Sequence, residues 1–298
     1  MKKKVALLLA AITSASLLFV GCGGAKENIK DFKNEISFAG SSTLVPVIDG
    51  MKEEFTKDGK TTWNKINKDF PDKEIKITTT TGGSGEGIKA VIDNTADFGL
   101  VAREVTKAEK EKIKDYKEYK LGTDALTISV NPENQLLKTT DNLTTVQIKK
   151  IFSGEYKYWD QVDKSLEHKE IVVVTRDLSG GAHKVFDELV MNGTEVKTNV
   201  TQASSMGALA SKVMGNKYAI GYASYGVVNQ NKGKIIPLKV DGIAPTKENI
   251  VDGKYKICRP LLVIKSGELN PGEKSFVDFM LSKDGQSVVE KLGFIPEK

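Results

Sequence analysis

Three short stretches of the 298-residue chain combine hydroxyls, glycines and a guanidinium in an order suited to holding an anion. They are Gly40-Ser41-Ser42-Thr43, the run Gly82-Gly83-Ser84-Gly85-Glu86-Gly87, and Arg176 to Ala182. Each follows a β-rich run and precedes residues at helical spacing, so each marks a strand passing into a helix. Helix N-termini expose unpaired backbone N–H groups and a partial positive charge, which suits them to oxyanions. Ser42, Thr43 and Ser84 add hydroxyl donors, and the glycines at 82, 83, 85, 180 and 181 allow close approach to the backbone. Taken singly, each turn is ordinary, because Ser or Thr ahead of a helix is usually an N-cap. The glycine run is no Walker loop, since no Lys-Ser or Lys-Thr pair closes it. What distinguishes the three is their shared place at the C-terminal ends of strands, where open α/β sheets bind ligands.

Arg103 and Arg176 both stand at the end of β-rich runs, in a chain whose 44 basic residues are nearly all lysine. A guanidinium there can grip a tetrahedral oxyanion through two parallel hydrogen bonds; the plainer reading is a salt-bridged surface arginine. Arg259, inside an apolar run, reads as structural. A hydrolase is the rival in another class, with Ser41, Ser42 or Ser179 as nucleophile and His183 as base, which requires hydrogen-bond contact between them. His183 reads first as a surface helix residue and second as an anion contact. His168, among charged neighbours, reads as solvated. Two cysteines with no C-x-x-C spacing, and two histidines, leave little for a metal site, and neither metal nor cofactor is expected.

The elements positioning these turns alternate in type. Ile36–Ala39, Glu74–Thr80 and Asp97–Ala102 read as strands. Leu44, Val47, Ile48, Met51 and Phe55 recur at helical spacing, as do Ile88, Val91 and Ile92. Thr106–Tyr116 reads as a charged, solvated helix. A second set follows Gly122, with strands at Ala125–Val130, Ile171–Thr175, Tyr218–Tyr222 and Tyr255–Ile264. Its helices fall at Thr144–Phe152, after Ala182, at Ser204–Met214 and across Glu273–Leu292. Strand, turn and helix repeated in this order indicate a parallel α/β architecture. No flexible linker separates the two sets, so they are expected to share crossing strands, as in hinged binding proteins that close on a ligand.

Composition, 39% hydrophobic and 28% charged, excludes a disordered chain and a multi-span membrane protein. The net charge of +5 is misleading, because Lys2, Lys3 and Lys4 supply three units and stand before the apolar run Val5–Val20. That layout is a secretory signal, too short for a membrane span, which needs about 20 apolar residues. It ends Phe19-Val20-Gly21-Cys22 and resembles a lipoprotein signal, in which Cys22 would be lipidated and become the new N-terminus. Removal of residues 1–21 would leave 277 residues at +2 and Cys258 as the only ordinary thiol. Such a charge does not suit nucleic acid, whose backbone demands a strong basic field.

Taken in order, the motifs identify a resemblance covering residues 36–296. AGSSTLVP from Ala39, GGSGEG from Gly82, ADFGLVAREVT from Ala96 and LTTVQIKKIFSGEYKYW from Leu143 come first. YAIGYASYG from Tyr218, DGIAPTKENI from Asp241, ICRPLLVI from Ile257 and GFIP from Gly293 complete the series. The chain resembles the solute-binding proteins of phosphate ABC transporters of the PstS type. The resemblance implies a two-lobe periplasmic-binding-protein-like α/β fold (type II), its lobes joined by two crossing strands with the ligand in the cleft. It implies no enzymatic activity, inorganic phosphate as ligand, and an ABC permease and ATPase as partners of a monomer held on the extracytoplasmic membrane face by Cys22.

The domains expected are a signal peptide over 1–21, a flexible tether over 22–34, lobe 1 from 35–122 with 257–298, and lobe 2 from 123–256. Carried over by position, the site comprises Ser42, Thr43, Leu44 through its backbone N–H, Ser84, Arg103, Arg176, Ser179, Gly180, Gly181 and Ala182. The chain departs from the family at two places. Gly180-Gly181-Ala182 stands where the family has Ser-Gly-Thr, and Ala102 where relatives carry Asp or Ser. With that carboxylate missing, the same fold binding another oxyanion, or acting as a sensor, is the alternative reading. Asp177 or Glu86 is then the candidate acceptor for a phosphate proton.

Overall fold

The computed structural model describes residues 32–197 and 200–297, so the signal segment and Cys22 lie outside the described residues. The strands are β1 (Glu35–Ser41), β2 (Lys76–Gly82), β3 (Phe98–Val101), β4 (Tyr116–Val130), β5 (Asn142–Leu143) and β6 (Val172–Arg176). They continue as β7 (Thr201–Ala203), β8 (Ala219–Ser224), β9 (Ile236–Pro237), β10 (Lys239–Val240), β11 (Cys258–Ser266) and β12 (Ile295–Pro296). One curled sheet runs β2-β1-β3-β11-β4-β8-β6-β7, with β9 and β12 also paired to β4. β2, β1 and β3 are parallel, as are β8, β6 and β7, and the antiparallel β11 and β4 join the two sets.

The 15-residue β4 is the main crossing element. Its first part, to Ala125, pairs with β11, whereas Leu126–Val130 pairs with β8. The return crossing is made by Ile257 and β11, since Leu126 donates its N–H to Ile257 O (2.8 Å). Two cores flank these crossings. One gathers Ile36, Val47, Phe98, Leu121, Leu261 and Phe276, and the other Ala125, Ile148, Trp159, Phe186, Tyr222 and Ile257. Each fully buried aliphatic or aromatic side chain contributes about 1.5–3 kcal/mol.

Helices start where the sequence motifs end. Pro46 opens the helix Val45–Phe55, with its fixed φ already helical, and Val47, Ile48, Met51 and Phe55 face the core. Gly40 has φ +130°, and a Cβ there would lie 2.4 Å from Leu100 O, so only glycine lets β1 turn against β3 here. The Gly82–Gly87 run yields the helix Ser84–Ile92, in which Glu86 caps the Gly83 N–H at 3.1 Å.

Three expectations need correction. The charged helix over Thr106–Tyr116 shrinks to Lys107–Lys110, because Tyr116 already begins β4. The helix after Ala182 is α-helical over Gly181–Phe186 and then widens to a π-turn over Asp187–Met191, leaving Leu189 exposed. The tether expected to reach Asn34 is packed by Phe32, which meets Trp63 edge-on at 5.4 Å while Asn34 O accepts from Trp63 Nε1 at 3.1 Å. No described helix is long and apolar enough to cross a membrane.

Candidate anion-binding cleft

Arg176 ends β6 and turns its guanidinium into the junction of the two cores. Its N–H donates to Tyr222 Oη (2.9 Å), Nε to Ala203 O (3.0 Å) and Nη2 to Ser204 O (3.1 Å). Asp177 stands 3.5 Å from Nη2. Burial pulls the Arg176 pKa down, opposed by Asp177 and reinforced by the like charge of Arg259. A guanidinium nevertheless keeps its charge at neutral pH. Its Nη1 donates across the cleft to Ser42 Oγ at 3.3 Å. The result is a buried, fixed cation whose remaining donor edge faces the first turn.

The lobe-1 hydroxyls are arranged as donors. Ser42 Oγ accepts from Arg176 Nη1 and from the Met206 N–H (3.2 Å), so both its lone pairs are occupied. Thr43 Oγ1 accepts from Arg259 Nη2 (3.0 Å), and Ser84 Oγ accepts from the Ala102 N–H (3.0 Å). A hydroxyl that accepts an N–H bond still has one hydrogen to give. Three such hydrogens and a guanidinium are what a multiply charged oxyanion requires.

The second and third turns touch directly. A Cβ built on Gly181 would lie 2.2 Å from Ser84 Oγ, and one on Gly83 would lie 2.1 Å from Ser179 O. A Cβ on Gly180 would lie 2.9 Å from Arg176 Cζ, so the guanidinium packs over a bare Cα. These glycines permit the closed contact between lobes. Ala182 is buried beside them, and the N–H groups of Gly181 and Ala182 have no partner among the described residues.

Other expected site residues stand differently. Arg103 is taken up by its own loop, forming a two-pronged pair with Glu109 (2.9 and 2.8 Å) and donating to Glu104 O (2.8 Å). Glu109 caps the following helix through Thr106, so the arginine serves that turn. The Leu44 N–H bonds back to Ser41 O (2.9 Å), and the Gly180 N–H to Asp177 Oδ1 (3.0 Å). Both are engaged within their turns. Ser179 is exposed, and its hydroxyl donates to Asp177 Oδ1 (2.7 Å), not into the cleft. Asp177 is thus taken up by its own turn, and Glu86 by the Gly83 N–H.

His183 is half-buried; among the described residues its hydrogen-bond partner is Tyr222 Oη, at 3.5 Å, and no serine. Burial holds its imidazole below the usual value, against the pull of Asp187 and Asp177. His168 is exposed and paired with Asp160 (2.9 Å). Sequence reasoning missed Asp124, a register partner of Arg259 on the crossing strands that is completely buried and bonded to it at 2.7 and 2.9 Å. One charge of opposite sign in each of two apolar runs was the available signal.

A family model described as a PBP superfamily domain matches residues 31–284. A phosphate-binding protein PstS of Staphylococcus epidermidis is 32% identical over 308 residues, covering 98% of this chain and 89% of its own. A Staphylococcus aureus PstS is likewise 32% identical, over 95% of this chain and 86% of its own length. Among solved structures, a Clostridium perfringens substrate-binding protein of a phosphate ABC transporter, crystallised with bound phosphate, superposes with TM-score 0.76. It is 29% identical and covers 89% of this chain and 100% of its own.

Proposed function

The chain belongs to the PBP superfamily and, within it, to the PstS phosphate-binding proteins, and from that premise we propose that it captures inorganic phosphate for an ABC importer. The observation that carries the reading is the buried Arg176 guanidinium bonded to Ser42, with the neighbouring Thr43 held by Arg259 and Ser84 held by the Ala102 N–H, each of the three with its hydroxyl hydrogen left to donate. Phosphate binds between lobe 1 (35–122 with 257–298) and lobe 2 (123–256) and is passed to the permease, whose ATPase drives uptake. Ser42, Thr43, Ser84, Arg176, Gly181 and Ala182 make the contacts in this reading. Arg103 and Ser179 have no part in it.

The protein binds and releases its ligand without chemistry. No serine among the described residues lies within hydrogen-bond reach of His183, which counts against the hydrolase reading. A signal ending at Cys22 supports tethering by lipid on the extracytoplasmic face. Phosphate uptake by cells lacking their own binding protein tests the whole proposal. Restoration by this chain, its loss on Arg176→Ala and release of the Cys22→Ala protein from membranes are expected; uptake unchanged by Arg176→Ala contradicts it.

A further inference from the structure

Arg259 is the second guanidinium at the cleft, and its contacts fan out in three directions. Nε and Nη2 hold Asp124 Oδ2, Nη2 also donates to Thr43 Oγ1 (3.0 Å), and Nη1 donates to Ala102 O (3.3 Å). The N–H of that same Ala102 donates to Ser84 Oγ (3.0 Å). One side chain therefore orients the Thr43 hydroxyl directly and the Ser84 hydroxyl through a single residue, Ala102, whose C=O and N–H lie in adjacent peptide groups. Asp124, on the neighbouring crossing strand, accepts from Ser224 Oγ at the end of β8 at 2.9 Å. Both charged side chains are buried, at 1% and 0% exposed.

We propose that Arg259, held by Asp124, is a positioning residue of the anion cleft: it fixes which way the Thr43 and Ser84 hydroxyls point. The proposal rests on the phosphate reading above. The Thr43 oxygen is occupied on the Arg259 side, so its hydrogen is turned to the cleft; the Ala102 N–H does the same for Ser84, on a residue whose carbonyl Arg259 holds. A buried ion pair is a poor source of stability, because desolvation offsets its attraction, but it is an effective way to impose one geometry. Its place on the two crossing strands keeps that geometry in register with lobe 2.

The test is a cycle of calorimetric titrations with inorganic phosphate. Arg259→Gln with Asp124→Asn removes both charges together, so no buried charge is left unpaired. If the pair acts through the hydroxyl, this variant binds about 10- to 100-fold more weakly than wild type. In a Thr43→Val background the same change costs at least about threefold less than in the wild-type background, because only the Ser84 hydroxyl is left for the pair to orient. Affinity within threefold of wild type, or an equal loss in both backgrounds, overturns the proposal.

Arg259→Lys is the second arm, to be read if the paired variant lacks a cooperative unfolding transition. Lysine keeps the partner of Asp124 but cannot span Thr43 and Ala102, so binding is expected to weaken about 10-fold. Wild-type affinity in that variant also overturns the proposal. Failure of the wild-type chain to bind phosphate would instead remove the functional reading itself.

Discussion

Arg176 and Ser42, 134 residues apart in sequence, meet through a 3.3 Å hydrogen bond between Nη1 and Oγ. The contact joins the turn after β6 to the turn after β1, so the cation of one lobe and a hydroxyl of the other share a single site. Arg176→Ala is expected to weaken phosphate binding at least 100-fold by calorimetry, since it removes the fixed charge. Arg176→Lys should recover only part of it, because an ammonium cannot keep the Ala203 and Ser204 carbonyls while facing Ser42.

Closure depends on glycine at the turn contacts. Gly181→Ala places a methyl 2.2 Å from Ser84 Oγ, and Gly83→Ala places one 2.1 Å from the Ser179 backbone oxygen. Neither site can yield cheaply, because one neighbour is a short buried side chain and the other is main chain. Small-angle scattering with saturating phosphate should show these variants more open than wild type, with unfolding midpoints little changed. Wild-type compaction in both variants would contradict the closed contact.

Arg103 gives the opposite expectation. Its guanidinium is committed to a two-pronged pair with Glu109, so Arg103→Ala should leave phosphate affinity within about twofold while lowering the unfolding midpoint. Titration and thermal unfolding of one sample distinguish this from a ligand role. A large loss of affinity with unchanged stability would return Arg103 to the site.

Glu109 also sets an acid limit. Burial works to raise its pKa, but hydrogen bonds from Arg103 and the Thr106 N–H, with the Arg103 charge, hold it at about 2, against 4.5 for the free group. A depressed carboxylate contributes its full stability above the unfolded value and loses it as pH falls towards the folded one. The advantage of wild type over Glu109→Gln in thermal unfolding should therefore be constant above about pH 5 and shrink between pH 4.5 and 2. An advantage independent of pH across that range would contradict the pairing.

The parallel α/β order and the three turns were legible because strand alternation, helical spacing and glycine runs are local patterns. The length of β4 was not. Tyr116–Lys120 carries lysines and a glutamate, so its solvated face imitates a charged helix, and only pairing with β11 makes it a strand. Arg103 and Arg176 occupy similar places at strand ends. Their difference comes from Glu109, whose capping geometry draws one guanidinium away from the cleft. Arg259 and Asp124 were hidden for the same reason: register across two strands 135 residues apart brings them together, and no local pattern records it.

The most direct measurement is calorimetric titration of the chain from Cys22 onward with phosphate, sulfate, arsenate and molybdate in parallel. The account predicts one-to-one phosphate binding that Arg176→Ala abolishes and Arg103→Ala leaves intact. Absence of phosphate binding alongside clear binding of another of these anions would contradict it.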